Sequence, residues 1–421
     1  MGFSAKLLRD RRYLSILLLG FSSGLPLLLV GGTLRWWLSD AHIDLTIIGI
    51  FNLVALPYAL KFLWAPVLDR MPLPFLTSRL GRRRGWLLLI QSALTLALLL
   101  MAQSQPDTNL QLTACIAFAV ACFSASQDVV IDALRIEMLE PSEYALGSAV
   151  TTLGYRIGML AAGAGAFYLA ELADWRVTYD TMAALVGIGV IGMIIAPERQ
   201  AAPLPVTTLR TWFAAAVIAP VADFTTRAQW PVILAFIVCY KLATVLALSL
   251  ISPFYHDLGF TKIEVANITK IFGLAATIAG GFIGVWIIAR IGLWCCLLWS
   301  GIAQAAALYL FWGLAKTGHN SPLLIGAILS ENVTGAIAAT AFVTYISSLC
   351  NKRFTATQFA LFTAMAALTS ETLTSSMGFA ASALGWTGFF AVMPLAALPG
   401  LGLLLYLRKG MDDAGIKTTA N

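Results

Sequence analysis

The sequence predicts an all-α integral membrane protein of twelve transmembrane helices arranged as two six-helix, pseudo-symmetric halves. Three observations carry that prediction. Of the 421 residues 59% are hydrophobic and only 11% charged, less than half the charged share, about 25%, that a water-soluble domain needs for its surface. Apolar runs recur along the whole chain at the length, about 20 residues, that carries a helix across a bilayer. Finally, weakly similar segments return at matching places in the two halves, as in many transporters.

Reading apolar runs between charged or Pro/Gly boundaries places the first six spans near 13–38, 46–66, 85–103, 112–133, 145–172 and 177–196. The second six fall near 231–255, 264–290, 292–315, 321–349, 357–384 and 386–407. The domains are therefore a first half, 1–196; a linker, 197–230; a second half, 231–408; and a tail, 409–421. No small-residue cleavage site follows MGFSAKLLRDRRYLSILLLGF, so the first run is expected to be a retained span. The linker contains VTTLRTWFAAAVIAPVADF, mildly amphipathic and suited to lying along the membrane surface.

Charge fixes the expected orientation. With the N-terminus inside, Arg176, Lys262 and Lys316 are the basic residues of the outer loops, and Arg35, Lys61, Arg156, Lys241 and Lys270 fall within spans. The rest of the 27 Lys and Arg collect on the inner side, as in cytoplasmic loops. Both termini are expected in the cytoplasm of a bacterial inner membrane. The net charge of +6 reflects this bias and calls for no nucleic acid. Five of the six cysteines sit in apolar segments, Cys350 lies beside a basic loop, and no disulfide framework is implied.

Along the chain, the first span carries GFSSGLP, in which Gly20 and Gly24 form a close-packing pair and Pro26 a break. The same letters match the serine-hydrolase elbow, but His42, His256 and His319 all fall in outer loops, far from Ser22. Trp36 and Trp37 follow. The loop after the second span reads KFLWAPVLDRMPLPFLTSRLGRRRGW, an Asp-Arg pair, a spacer and a Gly-Arg cluster. Its copy after the eighth span, GFIGVWIIARIGLW, keeps Arg290 and Gly292 but has Ala289 in the acid's place. Here the arginines either gate the protein or merely enforce orientation.

The fourth span ends in FSASQDVVIDALRIEML, with Asp128 and Asp132 one turn apart. Asp132 and Arg135 are near the boundary, whereas Asp128 is deeper. Arg156, Lys241, Glu331 and Glu371 all fall near the middle of predicted spans, where an ionisable group is costly unless paired or facing a wet cavity. They are expected to serve a site or to form structural ion pairs. Lys61 and Arg35, nearer the ends, are expected to snorkel. SEYALGSAVTTLGYRIG and ATQFALFTAMAALTSET open the fifth and eleventh spans, with Arg156 and Glu371 in corresponding places. No phosphate-binding loop of an ATP-driven pump is present.

The Asp-Arg…Gly-Arg loop resembles the signature of the major facilitator superfamily. In that family its acid caps a neighbouring helix and forms ion pairs that latch one side closed, which implies gating by Asp69, Arg70 and Arg82. Further segments, GFSSGLPLLLVGGTLRWWL, KFLWAPVLDR, FSASQDVVIDAL, LGYRIGML, ENVTGAIAATAF and LCNKRFTATQFAL, resemble the AmpG family of muropeptide permeases. The resemblance implies a major facilitator fold and a secondary transporter, not an enzyme. It also implies proton-coupled import of anhydromuropeptides from periplasm to cytoplasm for cell-wall recycling, which in parts of the family bears on beta-lactam resistance. Many relatives carry extra C-terminal spans; this sequence ends in RKGMDDAGIKTTAN, and twelve spans are expected to suffice for transport.

An anionic sugar-peptide cargo would need cations from Arg156 and Lys241, and polar and aromatic partners from Gln127, Asn332, Trp36 and Trp37. Asp128, Glu331 and Glu371 are the candidate proton carriers. No cofactor or metal is expected beyond the coupling proton, and the expected state is a monomer in lipid. An acetyl-CoA or other anionic-metabolite transporter of the same superfamily is the alternative, and a scaffold or receptor without flux a remoter one.

Overall fold

The computed structural model describes residues 10–198, 208–374 and 376–413, with the side chains of 45, 46, 209, 210, 262, 263, 266, 270, 271, 368–372 and 409–413 outside the description. The fold is all-helical. Among the described residues nine helices are long and apolar enough to cross a membrane, including Arg11–Asp40, Arg82–Gln103, Leu110–Met138, Trp175–Ile195, Trp230–Asp257 and Ser321–Leu349. Spans four and ten, counterparts in the proposed duplication, are both 29 residues long.

The three predicted spans outside the nine are helical but interrupted or polar. Span two runs as Leu45–Ile50, a 3-10 stretch Phe51–Ala55, Leu56–Leu60, a second 3-10 stretch Lys61–Leu63, and Ala65–Arg70. Pro57 and Pro66 start two of these pieces, because a proline ring cannot continue the helix before it. Span five is Tyr144–Leu160, a π-helical turn Ala161–Gly165 and Ala166–Leu172. Span eleven begins as Thr355–Thr374, rich in Thr and Ser. Gly385, at φ 63°, breaks the helix that follows at the predicted boundary between spans eleven and twelve. Irregular, polar helix is tolerated at membrane depth only where protein or a wet cavity covers it.

Packing divides the chain into two units. One takes the chain up to Pro220 together with Cys350–Leu361, and the other takes Val221–Leu349 with the chain from Phe362. The division thus differs from the predicted halves in two places. The surface helix 209–225 is shared between units, and the start of span eleven packs with the first. Ala356 and Ala360 belong to the same apolar core as Leu68, Leu87, Val130 and Leu134, which explains that membership.

In the first unit, spans one and five are joined backbone to backbone. A Cβ on Gly20 would lie 2.6 Å from the Thr151 carbonyl oxygen, and Gly24, Gly154 and Gly158 face Tyr155, Leu17 and Phe21 in the same way. Only glycine permits such an approach. The other core of this unit gathers Leu29, Trp37, Leu94, Met101 and Tyr179. In the second unit the close seam is between spans eight and ten, where a Cβ on Gly280 would lie 2.6 Å from the Val333 carbonyl oxygen. Its core is built on Phe254, Phe311, Phe389 and Phe390. Outward-facing residues such as Leu96, Leu100, Ile194 and Trp286 remain apolar and exposed, as lipid contact requires.

Candidate functional site

Three clusters hold the candidate residues, two in the first unit and one in the second. The first lies where spans two and four end and span three begins. Asp69 and Arg83 are both fully buried and paired at 2.6 Å, and the same guanidinium nitrogen reaches Glu137 at 2.6 Å. Arg83 Nη1 donates to the Leu68 carbonyl at 3.2 Å. The second oxygen of Asp69 accepts from the backbone N–H of Thr357 at 3.2 Å and from its hydroxyl at 2.9 Å. Asp69 therefore caps the first turn of Thr355–Thr374, whose leading N–H groups have no partner within the helix.

Gly81 makes this possible. At φ 91° and ψ 170° it holds a conformation open essentially to glycine alone, and it turns the chain directly into Arg82–Gln103. Glu198 accepts from the N–H groups of Arg83 at 2.5 Å and Arg84 at 2.9 Å, capping that helix too. Burial pushes the Glu198 carboxyl above its ordinary range, against the pull of those N–H groups and of the Arg83 charge.

Of the residues predicted to gate, Asp69 is at the centre of this network. Arg70 lies over the Phe354 ring at 4.7 Å, and Arg82 approaches Glu137 only to 3.8 Å. The arginine inside the network is Arg83, which sequence reading passed over. Three consecutive arginines are distinguishable only once the helix phase is known, and Arg83 is the one in line with the buried Leu87, Ile90 and Leu94.

The second cluster lies within the membrane spans of the first unit. The Ser23 hydroxyl donates to Asp128 at 2.5 Å, and Lys61 and Asp132 are the other charges that act on this carboxylate. Tyr58 and Tyr155 also lie close to it. Lys61, expected to snorkel, sits in the 3-10 break of span two and is one of the charges that act on Asp128. Arg35 is exposed and donates to Asn52 at 2.8 Å.

Arg156 makes no ion pair among the described residues. Its Nη1 approaches only the Met159 sulfur, at 3.9 Å, and its Nε is buried with no hydrogen-bond partner. Gln127 is placed away from this cluster's open side: it accepts from Ser22 at 3.0 Å and donates to the Ser22 carbonyl at 2.9 Å, fully buried. Its amide ties span four to span one, which leaves it no face for a sugar. The same bond holds Ser22, the serine of the elbow-like motif. Trp37 stacks in the core against Trp175 and Tyr179, whereas Trp36 is exposed beside Phe167.

The third cluster belongs to the second unit. Lys241 sits at the break between Trp230–Cys239 and Leu242–Leu248, over the Phe342 ring at 5.5 Å, and makes no ion pair among the described residues. Asn332 accepts from Thr277 at 2.9 Å and donates to the Ile328 carbonyl at 2.9 Å. Glu331 and Gln304 converge on Gly335, each near 3.3 and 3.2 Å from where its Cβ would stand, and Tyr255 lies close to Glu331. The side chain of Glu371 lies outside the described residues.

Two cations within the spans that have no counter-ion among the described residues, and one carboxylate with a hydroxyl and a lysine, are what these clusters offer chemically. An uncompensated charge among membrane spans is expensive, so its retention points to a ligand that supplies the missing partner.

Comparison with known proteins identifies the family and the fold. The sequence matches the profile of the Major Facilitator Superfamily over residues 14–370. It is 37% identical to the "Putative transporter AmpG 4" of Rickettsia felis, over 97% of this chain and 99% of the relative. It is 40% identical to the "Anhydromuropeptide permease" of Escherichia coli K12, over 97% of this chain and 82% of that protein. The crystal structure of the transporter FucP in its outward conformation shares the fold, with a TM-score of 0.70 at 14% identity, covering 94% of this chain and 98% of that one.

Proposed function

We propose that this chain, a multi-pass membrane transporter that belongs to the major facilitator superfamily and within it to the AmpG family, imports anhydromuropeptides into the cytoplasm by alternating access, coupled to protons. Membership in a transporter family removes the hydrolase reading of the GFSSGLP motif. The observation that carries the cargo assignment is Arg156, a guanidinium among membrane spans that, among the described residues, has a buried, unbonded Nε and no carboxylate partner. Lys241 supports it from the second unit. A sugar-peptide with several carboxylates offers acceptors to such a cation, and a guanidinium can grip a carboxylate through two parallel hydrogen bonds. The name of the Escherichia coli relative points to the same cargo.

Asp128 is the proposed proton carrier. Its partners are a neutral hydroxyl, Ser23, and a lysine in a helix break, Lys61, so protonation and release can be tied to movement of span two. Glu331 and Glu371 are the other acids for that role. Asp69 is the proposed latch, because capping Thr357 ties the start of span eleven to the end of span two. The basic bias of the loops supports an inner-membrane protein with both termini in the cytoplasm.

The test is uptake of labelled N-acetylglucosaminyl-anhydromuramyl peptide by proteoliposomes holding only this protein, with and without an inward proton gradient. Gradient-dependent accumulation is expected, and Arg156→Ala is expected to abolish it while the protein stays in the membrane. Asp128→Asn should leave flux that no longer responds to pH. Normal uptake by Arg156→Ala would overturn the cargo site, and inhibition by acetyl-CoA but not by the muropeptide would reassign the cargo.

A further inference from the structure

The two copies of the signature loop differ by a stretch of chain. Ile291 alone separates Arg290 from Gly292, whereas residues 71–80 separate Arg70 from Gly81. This additional segment ends in a short helix, Leu76–Leu80, and closes over a cavity of about 620 Å3. Arg79, Arg82 and Arg84 line the cavity, against Glu198 as the single carboxylate among its lining residues. That carboxylate is already engaged by the N–H groups of Arg83 and Arg84. The Nε atoms of Arg82 and Arg84 are buried and have no hydrogen-bond partner among the described residues. Arginine can only donate, so three arginines lining one cavity call for a ligand made of acceptors.

The rim of the cavity is apolar on one side. Phe75 is 82% exposed and Met71 48%, beside the arginines. Phe75 also adopts φ 62°, a left-handed conformation that a bulky residue takes up only at a cost. The chain thus spends strain to hold an aromatic ring outward where span three enters the membrane, and such rings favour the level of lipid headgroups.

We propose that this pocket binds a phosphate-bearing anion and that its occupant is the headgroup of an anionic phospholipid, gripped by Arg79, Arg82 and Arg84 while Phe75 and Met71 meet its acyl chains. Basic pockets beside membrane helices bind such headgroups, and guanidinium geometry matches phosphate oxygens. Free phosphate shares the headgroup's chemistry but makes no use of the apolar rim. The pocket's lining includes neither Arg156 nor Asp128, so it does not depend on the transported cargo.

Native mass spectrometry of the purified full-length protein tests this, with phosphatidylglycerol, phosphatidylcholine and inorganic phosphate as probes. Phosphatidylglycerol is expected to be retained in preference to phosphatidylcholine, and Arg79→Gln with Arg84→Gln to cut that retention about tenfold. Phe75→Ser should weaken retention of the lipid without affecting competition by phosphate. Equal retention of both lipids, or retention unchanged in the double variant, would overturn the site. Complete displacement of the lipid by phosphate together with an unaffected Phe75→Ser would overturn the lipid as occupant. Should the double variant fail to fold, Arg79→Gln alone takes its place, at an exposed position: it must lower phosphatidylglycerol retention, and a rise or no change counts against the pocket.

Discussion

Gly81 and Gly292 hold nearly the same unusual conformation, φ 91° and ψ 170° against φ 83° and ψ 165°, and each leads directly into a long span. Around this shared turn the two halves differ in chemistry. The first copy buries Asp69, Arg83 and Glu137 in a network that also caps Thr357. In the second, Ala289 replaces the acid, Arg290 lies exposed over Trp286 at 5.5 Å, and Trp294 stands where Arg83 would be. The turn is therefore what the fold needs twice, and the ion network is an addition made once. Buried ion pairs seldom add net stability over apolar replacements, so a network kept in one half only is better explained by a switching role.

The largest expected difference comes from removing the acid. Asp69→Ala leaves Arg83 buried with Glu137 alone and strips the cap from Thr355–Thr374, and should cost about 3 kcal/mol of unfolding free energy in detergent as well as most uptake. Arg83→Met in the same background should recover part of the stability and none of the uptake. If Asp69→Ala unfolded like the parent, the network would be ornamental and the comparison between the copies would collapse.

Next come the glycines. Gly81→Ala and Gly292→Ala should each lose about 1 to 3 kcal/mol, since both conformations exclude a side chain. Gly81→Ala should be the worse of the two, because its Cβ would also collide with the Glu198 carboxylate that caps the helix behind it. Equal losses would mean that the Glu198 cap adds nothing to the first copy. Thr357→Val sharpens the same point on a smaller scale: it deletes the hydroxyl bond to Asp69 and keeps the backbone one, for about 1.5 kcal/mol.

The same contrast shows what the sequence could and could not convey. The all-helical membrane fold and the position of Asp69 follow from hydropathy and a local motif, both of which are one-dimensional signals. Arg83 could not be told from Arg82 or Arg84, because the span is apolar on nearly every face and its phase is invisible in a run of three identical residues. Gln127 was read as a cargo ligand, since a buried amide and a cavity amide look alike until Ser22 is seen to satisfy it from another span. The 3-10 breaks at Phe51–Ala55 and Lys61–Leu63, and the influence of Lys61 on Asp128, have no signature in hydropathy. Long-range partners and local helix irregularity are thus the two features that pattern alone did not carry.

The smallest expected effect closes the comparison from the other side. Ala289→Asp restores to the second copy the acid of the first, beside Arg290. There is no buried arginine for it to meet, because the position that matches Arg83 is Trp294, whose indole N–H already donates to the Leu404 carbonyl at 3.1 Å. The new pair would be exposed and screened, so unfolding free energy should move by less than about 0.5 kcal/mol. Placed in the Asp69→Ala background, Ala289→Asp should leave uptake as low as before. Recovery of uptake there would mean that either loop can serve as the latch, and that the asymmetry between the halves is an accident of sequence.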